Sequence, residues 1–332
     1  MIMAQSLYKR LRRRDPSAEL HVLAPAWSLS ILERMPEISR TIEQPAGHGE
    51  LRLMTCRVLG RSLRAESYTQ AIVLPRSLKA ALIPFFASIP RRTGFRGEWR
   101  YGLLNDIRPL DKQVLDQTVK RFVALGAEND ESLLPEIDVP SLETSAEGCA
   151  ATLERFGFDP DENIVALMPG AEYGPAKRWP IERFADLAQR LNRVGVAVRV
   201  LGSAKERLLG DEILERAEHS KAANLCGETS LVEAVDLLSV AGAAVTNDSG
   251  LMHMAAAVGT QVIALYGSST PHFTPPLTES KHVFYLGLEC SPCFKRDCPL
   301  DHFRCMREIS VDEVCSAVVT ALGNPVTIES RA

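Results

Sequence analysis

The chain has 332 residues, enough for two domains of ordinary size, and its 45% apolar and 24% charged residues are typical of a folded globular protein rather than of a disordered chain or a coiled coil. Its longest apolar run, residues 80–89, is broken by Pro84, so the sequence predicts no membrane-spanning helix, which needs about 20 residues. The net charge of −4 conceals a basic block, because residues 51–110 carry 11 Lys and Arg against 3 Asp and Glu, a net +8 that leaves −12 for the rest. A uniformly basic nucleic-acid-binding protein is therefore excluded, whereas a local surface that faces anions is not.

The first part of the chain alternates weakly between predicted helices and strands. Ile2, Met3, Leu7 and Leu11 recur at helical spacing and predict an amphipathic helix at the start. Apolar runs then predict strands at residues 20–23 and 71–74, and helices at residues 78–87 and 114–125. Residues 126–163 are rich in Pro, Glu and Ser, and we place the connection between two domains there, with residues 1–150 in the first domain and 151–332 in the second.

The second part has a clearer rhythm of strand and helix. Strands are predicted at residues 163–168, 196–201, 223–225, 243–246 and 261–266, and helices at residues 184–191, 205–218, 231–240 and 251–258. Such an alternation is typical of a parallel sheet with helices on both faces. We therefore predict an α/β fold.

The eight cysteines, in a chain whose start does not resemble a signal peptide, predict reduced thiols in a cytoplasm. Four of them crowd into one short segment: Cys290, Cys293, Cys298 and Cys305. Their spacing could form a tetrahedral thiolate site for structural zinc, although it matches no standard finger. The alternative is a set of reduced structural thiols.

The most specific local pattern is N-D-S-G-L-M-H at residues 247–253, which follows a predicted strand and opens a helix. The free N–H groups and the positive dipole end of such a junction suit phosphate. Asp248 and Ser249 can cap the helix, Gly250 allows a ligand to approach the backbone, and His253 lies one turn further on. The alternative is an ordinary capped helix with a half-buried histidine.

A second strand-to-helix loop, at residues 169–180, has the sequence P-G-A-E-Y-G-P-A-K-R-W-P. Its Lys177 could neutralise a departing pyrophosphate, or could belong to a solvated basic loop. Both loops follow carboxyl ends of strands in one predicted sheet, where open α/β folds bind ligands. At a third junction, which carries Ser203, Glu206 could accept hydrogen bonds from ribose hydroxyls or could be a surface acid at a helix start.

These motifs, together with L-Y-G-S-S-T-P-H-F-T-P-P at residues 265–276, resemble those of glycosyltransferase family 9, the ADP-heptose:lipopolysaccharide heptosyltransferases. Within that family, the heptosyltransferase II members are similar in the stretches A-Q-S-L-Y, A-P-A-W, L-P-R-S-L-K-A-A-L-I-P-F-F and R-T-G-F-R-G-E-W-R-Y-G-L-L-N-D. The likeness covers nearly the whole chain. It implies a GT-B architecture of two Rossmann-like, doubly wound domains facing a cleft, with the acceptor bound by the first domain and ADP-heptose by the second.

For the donor, the resemblance implies that Lys177 lies at the pyrophosphate as the catalytic cation, and that no cofactor or metal is needed for an inverting transfer. The remaining residues that we expect at the donor site are Tyr173, Ser203, Glu206, Asp248, Ser249, Gly250 and His253.

The implied acceptor is a lipid A-anchored inner core, whose Kdo carboxylates and phosphates match the basic block, since Arg pairs with such oxyanions bidentately. The residues that we expect to contact it are Arg57, Arg61, Arg64, Arg76, Lys79 and Arg96, and the alternative is a solvated basic face. The implied partners are ADP-heptose, this acceptor and the inner face of the inner membrane, on the cytoplasmic side, with no nucleic acid.

Members of the family carry a Gly-rich loop that ends in Gly-Asp-Met, and the resemblance implies that its Asp is the catalytic base. The likeness here starts at the Met, so we expect this Asp directly before Met1, after a first strand encoded upstream. We also expect the 332-residue chain to be poorly stable and nearly inactive without them.

The predicted function is thus the transfer of heptose to the first heptose of the lipopolysaccharide inner core. Two alternatives remain: a sugar-nucleotide epimerase of the same fold, and a catalytically impaired nucleotide-sugar-binding protein. Release of ADP that requires a lipid acceptor would distinguish the transferase from both.

Overall fold

The computed structural model describes residues 1–45, 52–128, 136–218 and 221–323. The chain divides into two compact units, Met3–Asp138 and Val139–Ala332. This division lies earlier than the predicted boundary at residue 150, which falls inside the helix Ala146–Phe156 of the second unit. None of the helices in the described ranges is long and apolar enough to cross a membrane.

The first unit contains short parallel strands connected by helices. Its elements are α1 (Gln5–Arg14), β1 (His21–Ala24), α2 (Leu29–Leu32), β2 (Arg40–Glu43), α3 (Leu53–Ser62), β3 (Gln70–Ile72), α4 (Leu78–Phe86), β4 (Arg91–Phe95), β5 (Asp106–Arg108) and α5 (Thr118–Leu125). β1 pairs with β2, and β4 pairs with β3 and β5, all in parallel. Of the predicted amphipathic face in α1 and the turn before it, Ile2 and Leu7 are buried, while Met3 and Leu11 are half-buried.

The second unit is built on one six-stranded sheet. Its elements are α6 (Ala146–Phe156), β6 (Ile164–Met168), α7 (Ile181–Arg193), β7 (Ala197–Val200), α8 (Arg207–Ala217), β8 (Ala222–Asn224), α9 (Leu231–Val240), β9 (Ala243–Asn247), α10 (Gly250–Ala257), β10 (Gln261–Tyr266), β11 (Lys281–Tyr285), α11 (Arg304–Arg307) and α12 (Val311–Ala321). All neighbours are parallel, in the order β11-β10-β9-β6-β7-β8. The predicted parallel sheet and its five predicted strands are confirmed, whereas β11, α6, α11 and α12 were not predicted.

The central strands are buried along their whole length, which is why they read as apolar runs rather than as alternating patterns. α7 covers the sheet with Phe184, Leu187 and Leu191 at helical spacing, all of them fully buried. Trp179, just before α7, is also fully buried and meets Phe184 edge to face, with ring centroids 5.0 Å apart. The loop before α7 is therefore held by its own core residue.

The strand order places a topological switch point between β6 and β9. From β6 the chain proceeds through β7 to β8 on one side of the sheet, and from β9 through β10 to β11 on the other. The connections that leave β6 and β9 therefore diverge and open a crevice at the carboxyl ends of these two strands.

Gly60 allows close packing of α3 on α4 in the first unit. A Cβ atom at Gly60 would lie 2.5 Å from Phe86 Cβ and 2.8 Å from the Ile83 carbonyl oxygen. We therefore expect Gly60→Ala to lower the free energy of unfolding by about 1–3 kcal/mol, measured by urea denaturation, although alanine favours a helix more than glycine does.

The matched control is Gly250→Ala, another helical glycine, at which a Cβ would meet nothing within 4 Å. This variant should lose no stability. Equal stability of the two variants would contradict the close packing of α3 on α4.

Candidate active site

The candidate site lies at the switch point, where residues 169–180 follow β6 and residues 248–250 follow β9. β6 and β9 are hydrogen-bonded neighbours, with Met168 paired to Thr246 at their ends. The two loops that the sequence singled out therefore lie side by side.

A buried ion pair joins these loops. Lys177 Nζ lies 2.5 Å from Asp248 Oδ2, and the two side chains are only 17% and 6% exposed. Thr274 Oγ1 donates a hydrogen bond to Asp248 Oδ1 at 3.2 Å, so both carboxylate oxygens are engaged. The Lys177 ammonium also lies 5.4 Å from the centre of the Tyr173 ring. Lys177 is thus a cation held in place rather than a flexible surface lysine.

Asn247, at the end of β9, fixes both ends of the Lys177 loop. Its Oδ1 accepts a hydrogen bond from the Trp179 backbone N–H at 3.0 Å, and its Nδ2 donates to the Pro169 carbonyl at 2.8 Å. All of these groups are buried, so each bond removes a polar group that would otherwise be unsatisfied. The side chain therefore sets the span of the loop on which Lys177 sits.

The cysteine-rich segment packs on the same loop. Tyr173 Oη donates to the Phe294 carbonyl at 2.6 Å, and the Ala176 N–H donates to the Arg296 carbonyl at 3.1 Å. Gly174 is required between them, because a Cβ there would lie 2.4 Å from Arg296 Cγ and 2.5 Å from its carbonyl oxygen. The segment thus holds the outer edge of the Lys177 loop in place.

The thiols of this segment are free. Within the described ranges, no group of three or more His, Cys, Asp or Glu residues is already arranged to hold a metal ion. The zinc site considered for Cys290, Cys293, Cys298 and Cys305 stays a prediction. Burial, with smaller contributions from the three neighbouring thiols, raises the pKa of Cys305 to about 11, which keeps it protonated near neutral pH.

The expected side-chain cap of α10 is absent. Ser249 occupies the N-cap position with no side-chain hydrogen bond to the first turn, and Asp248 turns to Lys177 and Thr274 instead. Gly250 borders open space. The first amides of α10 therefore lack a side-chain acceptor, and an anion can occupy that position.

His253 lies one turn into α10. Burial lowers the pKa of its imidazole to about 4; the Asp248 carboxylate opposes this shift, and the Lys177 ammonium adds to it. At neutral pH the ring is thus uncharged and suited to hydrogen bonds with neutral hydroxyl groups.

Ser203 and Glu206 bond each other in a capping box. Glu206 Oε2 accepts from the Ser203 N–H at 2.8 Å and from its hydroxyl, while Ser203 Oγ accepts from the Lys205 N–H. Glu206 is buried against Gly170 at the end of β6, and its Oε1 lies on that side. Only this second oxygen remains for a ligand hydroxyl.

The residues expected at the acceptor lie on several elements of the first unit. Arg57 and Arg61 are exposed on α3, Arg64 follows it and donates to the Phe86 carbonyl at 2.9 Å, and Lys79 lies on α4. Arg76 and Arg96, in contrast, come together.

Arg76 and Arg96 line a groove of about 330 Å³ with Lys112. Within the described residues none of these three cations is paired with a carboxylate. Burial, followed by repulsion from Arg76, lowers the pKa of two further guanidinium groups, those of Arg100 and Arg121. The groove is therefore an electropositive site for a carboxylate or phosphate.

A family model described as glycosyltransferase family 9 (heptosyltransferase) matches residues 56–304. The chain belongs to glycosyltransferase family 9. It is 46% identical over 294 residues to lipopolysaccharide heptosyltransferase 2 of Escherichia coli K12, covering 86% of this chain and 84% of that protein. It is 45% identical over 298 residues to lipooligosaccharide heptosyltransferase 2 of Haemophilus influenzae, with 86% and 85% covered.

The fold agrees with this assignment. The solved structure of E. coli ADP-heptose lipopolysaccharide heptosyltransferase II matches with a TM-score of 0.86 and 40% identity, over 97% of this chain and 95% of that one. The resemblance inferred from the sequence motifs and the GT-B fold class are therefore confirmed.

Sequence reasoning assigned no role to three residues of the candidate site: Asn247, Thr274 and Tyr266. Thr274 orients Asp248, and Tyr266 donates to the Thr274 carbonyl at 2.6 Å. Both belong to the L-Y-G-S-S-T-P-H-F-T-P-P motif, which was quoted for the resemblance, so the motif itself was the available signal.

The ion pair predicts strong energetic coupling. We expect Lys177→Met to destabilise the protein by about 3 kcal/mol, because it leaves the Asp248 carboxylate buried without its cation. In the Lys177→Met/Asp248→Asn double variant much of this loss should be recovered, giving a coupling energy of about 1–3 kcal/mol in a denaturation cycle.

The control cycle uses Lys205 and Glu172, whose ion pair involves the same loop but is about three-quarters exposed on both sides. No measurable coupling is expected there. Additive effects at Lys177 and Asp248 would show that the pair is not held as described.

Proposed function

We propose that this chain is an inverting heptosyltransferase, which moves heptose from ADP-L-glycero-D-manno-heptose to the first heptose of the lipid A-anchored inner core. The observation that carries the proposal is the fixed cation of Lys177 beside the uncapped start of α10, at the sheet's switch point. Membership of family 9 and the names of the relatives support it.

In the proposed reaction, a carboxylate base deprotonates an acceptor hydroxyl, which attacks the anomeric carbon of the heptose. The bond from that carbon to the ADP oxygen breaks, and the electron pair stays on the pyrophosphate. Negative charge grows on the departing phosphate, so Lys177 and the first amides of α10, at Ser249 and Gly250, stabilise this step more than the bound ground state.

We assign the other donor residues by their chemistry. Asp248, a carboxylate, would repel a pyrophosphate, so its role is to hold Lys177 and to accept bonds from sugar hydroxyls. The neutral imidazole of His253 suits the same hydroxyls. Tyr173 lies against Lys177. Ser203 and Glu206 follow β7, the strand next to β6, and Glu206 Oε1 lies on the side of Gly170.

The acceptor's carboxylates and phosphates are proposed to bind the cations of the first unit. Arg76, Arg96 and Lys112 form the concave part of this surface, with Arg57, Arg61, Arg64 and Lys79 on the neighbouring helices. Since the proposed acceptor is lipid-anchored, we place the reaction at the cytoplasmic face of the inner membrane.

Lys177→Ala should lower kcat by about 10²–10³-fold, with the acceptor KM nearly unchanged, because the lost charge acts on the leaving group. The assay is ADP release from ADP-heptose, which should require the acceptor, and all variants are compared in a version that also carries the expected upstream strand and Asp. Lys221→Ala, an exposed lysine paired with Glu162, is the control and should keep full turnover.

The Lys177→Ala/Asp248→Asn double variant keeps this test independent of folding, because it leaves no unpaired carboxylate. Unchanged turnover in both variants would contradict the role of Lys177. ADP release without acceptor would contradict transfer itself.

Arg96→Ala and Lys112→Ala should each raise the acceptor KM by about tenfold and leave the ADP-heptose KM unchanged, because each removes one charged contact to an oxyanion. Arg193→Ala, which removes an arginine bonded only to Gln189 among the described side chains, is the matched control. Equal changes in both KM values would mean that the groove is not an acceptor surface.

A further inference from the structure

The outer face of α3 combines exposed apolar and basic side chains. Met54, Arg57, Val58 and Arg61 follow one another at spacings of three, one and three residues, which places them along one side of the helix. Met54 and Val58 are each 65% exposed, and both arginines are exposed. We call these four residues the α3 outer face.

The opposite side of the same helix is packed. Cys56, Gly60 and Leu63 are buried, and they belong to the side that meets α4. The helix is therefore fixed in its orientation, and Met54 and Val58 cannot reach this core by rotation. Their exposure is a property of the folded unit.

The charges of this face are also unsatisfied. Among the described residues neither the Arg57 nor the Arg61 guanidinium is paired with a carboxylate. The face lies within the sequence block 51–110, which carries a net charge of +8. Apolar side chains flanked by unpaired arginines are the composition of a helix that lies in a membrane interface.

We propose that the α3 outer face docks the protein on an anionic phospholipid bilayer, with Met54 and Val58 entering the boundary between headgroups and acyl chains. Arg57 and Arg61, which we also assign to the acceptor, then lie at the level of the lipid phosphates, which is also the level of a lipid-anchored acceptor's phosphates. Each cation near an anionic surface strengthens the attraction. This proposal deepens the proposed location at a membrane surface and rests on the proposed function in that respect alone.

Protein partners fit this face less well. A second copy docked through the same face would bring arginines of like charge together across a two-fold axis. A helix of ten residues is about 15 Å long and by itself falls short of the ~800 Å² per partner that a stable interface buries. An anionic bilayer avoids both difficulties, because its surface is negatively charged throughout and an apolar layer lies beneath that surface.

The test is co-sedimentation of the full chain with large unilamellar vesicles that contain no lipopolysaccharide. One set contains phosphatidylcholine with 30% phosphatidylglycerol, on the order of the anionic content that recruits basic faces, and the other contains phosphatidylcholine alone. We expect binding to the anionic set only, and weaker binding as salt is raised.

The Met54→Ser/Val58→Ser variant should bind anionic vesicles about tenfold more weakly than the parent chain, since it loses the apolar anchor but keeps both arginines. Leu208→Ser is the matched control: Leu208 is 79% exposed on α8, beside Asp211, Glu212, Glu215 and Arg216, whose charges sum to −2, and its loss should change nothing. Met54→Ala/Val58→Ala provides a milder second variant, should the first lose stability.

Several results would overturn the proposal: no binding by the parent chain, equal binding to both vesicle sets, or equal binding by the parent and the double variants. A parent dimer that the double variants convert to monomer in analytical ultracentrifugation would identify the face as a contact between copies instead.

Heptose transfer is measured separately, on an acceptor stripped of its acyl chains. The Met54→Ser/Val58→Ser variant should retain parental turnover there. A version that also carries the expected upstream strand and Asp, and that binds vesicles but transfers no heptose, would contradict the proposed function and leave the docking face supported.

Discussion

The buried ion pair between Lys177 and Asp248 is the constraint on which the candidate site of this family 9 protein depends. It joins the loops after β6 and β9, and it forms only because these strands are neighbours at the switch point of the sheet. A lysine in a crevice would otherwise sample many rotamers, and a carboxylate there would lack its cation. For the proposed donor, an ammonium that is already fixed in place acts on the pyrophosphate without reorganisation.

Most of the other contacts at the site serve this geometry. Asn247 sets the ends of the Lys177 loop, Thr274 orients the second oxygen of Asp248, and the backbone of residues 294–296 holds Tyr173 and Ala176. The last of these assigns a structural role to the cysteine-rich segment that does not depend on its thiols. The segment acts through carbonyl groups, with Gly174 allowing the close approach.

Physical causes also separate what the sequence could predict from what it could not. Lys177, Asp248 and the strands before them could be predicted, because each motif is contiguous and follows a fully buried apolar run. Their pairing could not, since it depends on which strands are neighbours in the sheet. The carbonyls of Phe294 and Arg296 carry no side-chain signal at all.

Short strands such as β4 escaped prediction for a different reason. β4 begins with two arginines, which break the apolar run that a buried strand normally shows. The fold accepts them because Arg91 is paired with Asp106 on the neighbouring strand and with Glu128, while Arg92 donates to the carbonyls of Leu103 and Ile89. A polar residue becomes compatible with a sheet once its partner is in place.

The presence or absence of a partner within the fold also divides the arginines of the basic block by role. Arg91 and Arg108 share Asp106, and Arg91 is also paired with Glu128. Arg100 is buried with its guanidinium on the carbonyls of Pro75 and Phe95, so these arginines stabilise the unit itself. Within the described residues, Arg57, Arg61, Arg76 and Arg96 of the block have no carboxylate partner, and neither has Lys112 just beyond it. The net charge of +8 therefore does not show how many of these cations are available to anions, because some are paired or buried within the unit and others are not. Among the described residues, the cations without a carboxylate partner include three that line one groove and two along one helix face. The proposed contacts with a charged acceptor and with a lipid surface depend on this segregation rather than on the total charge.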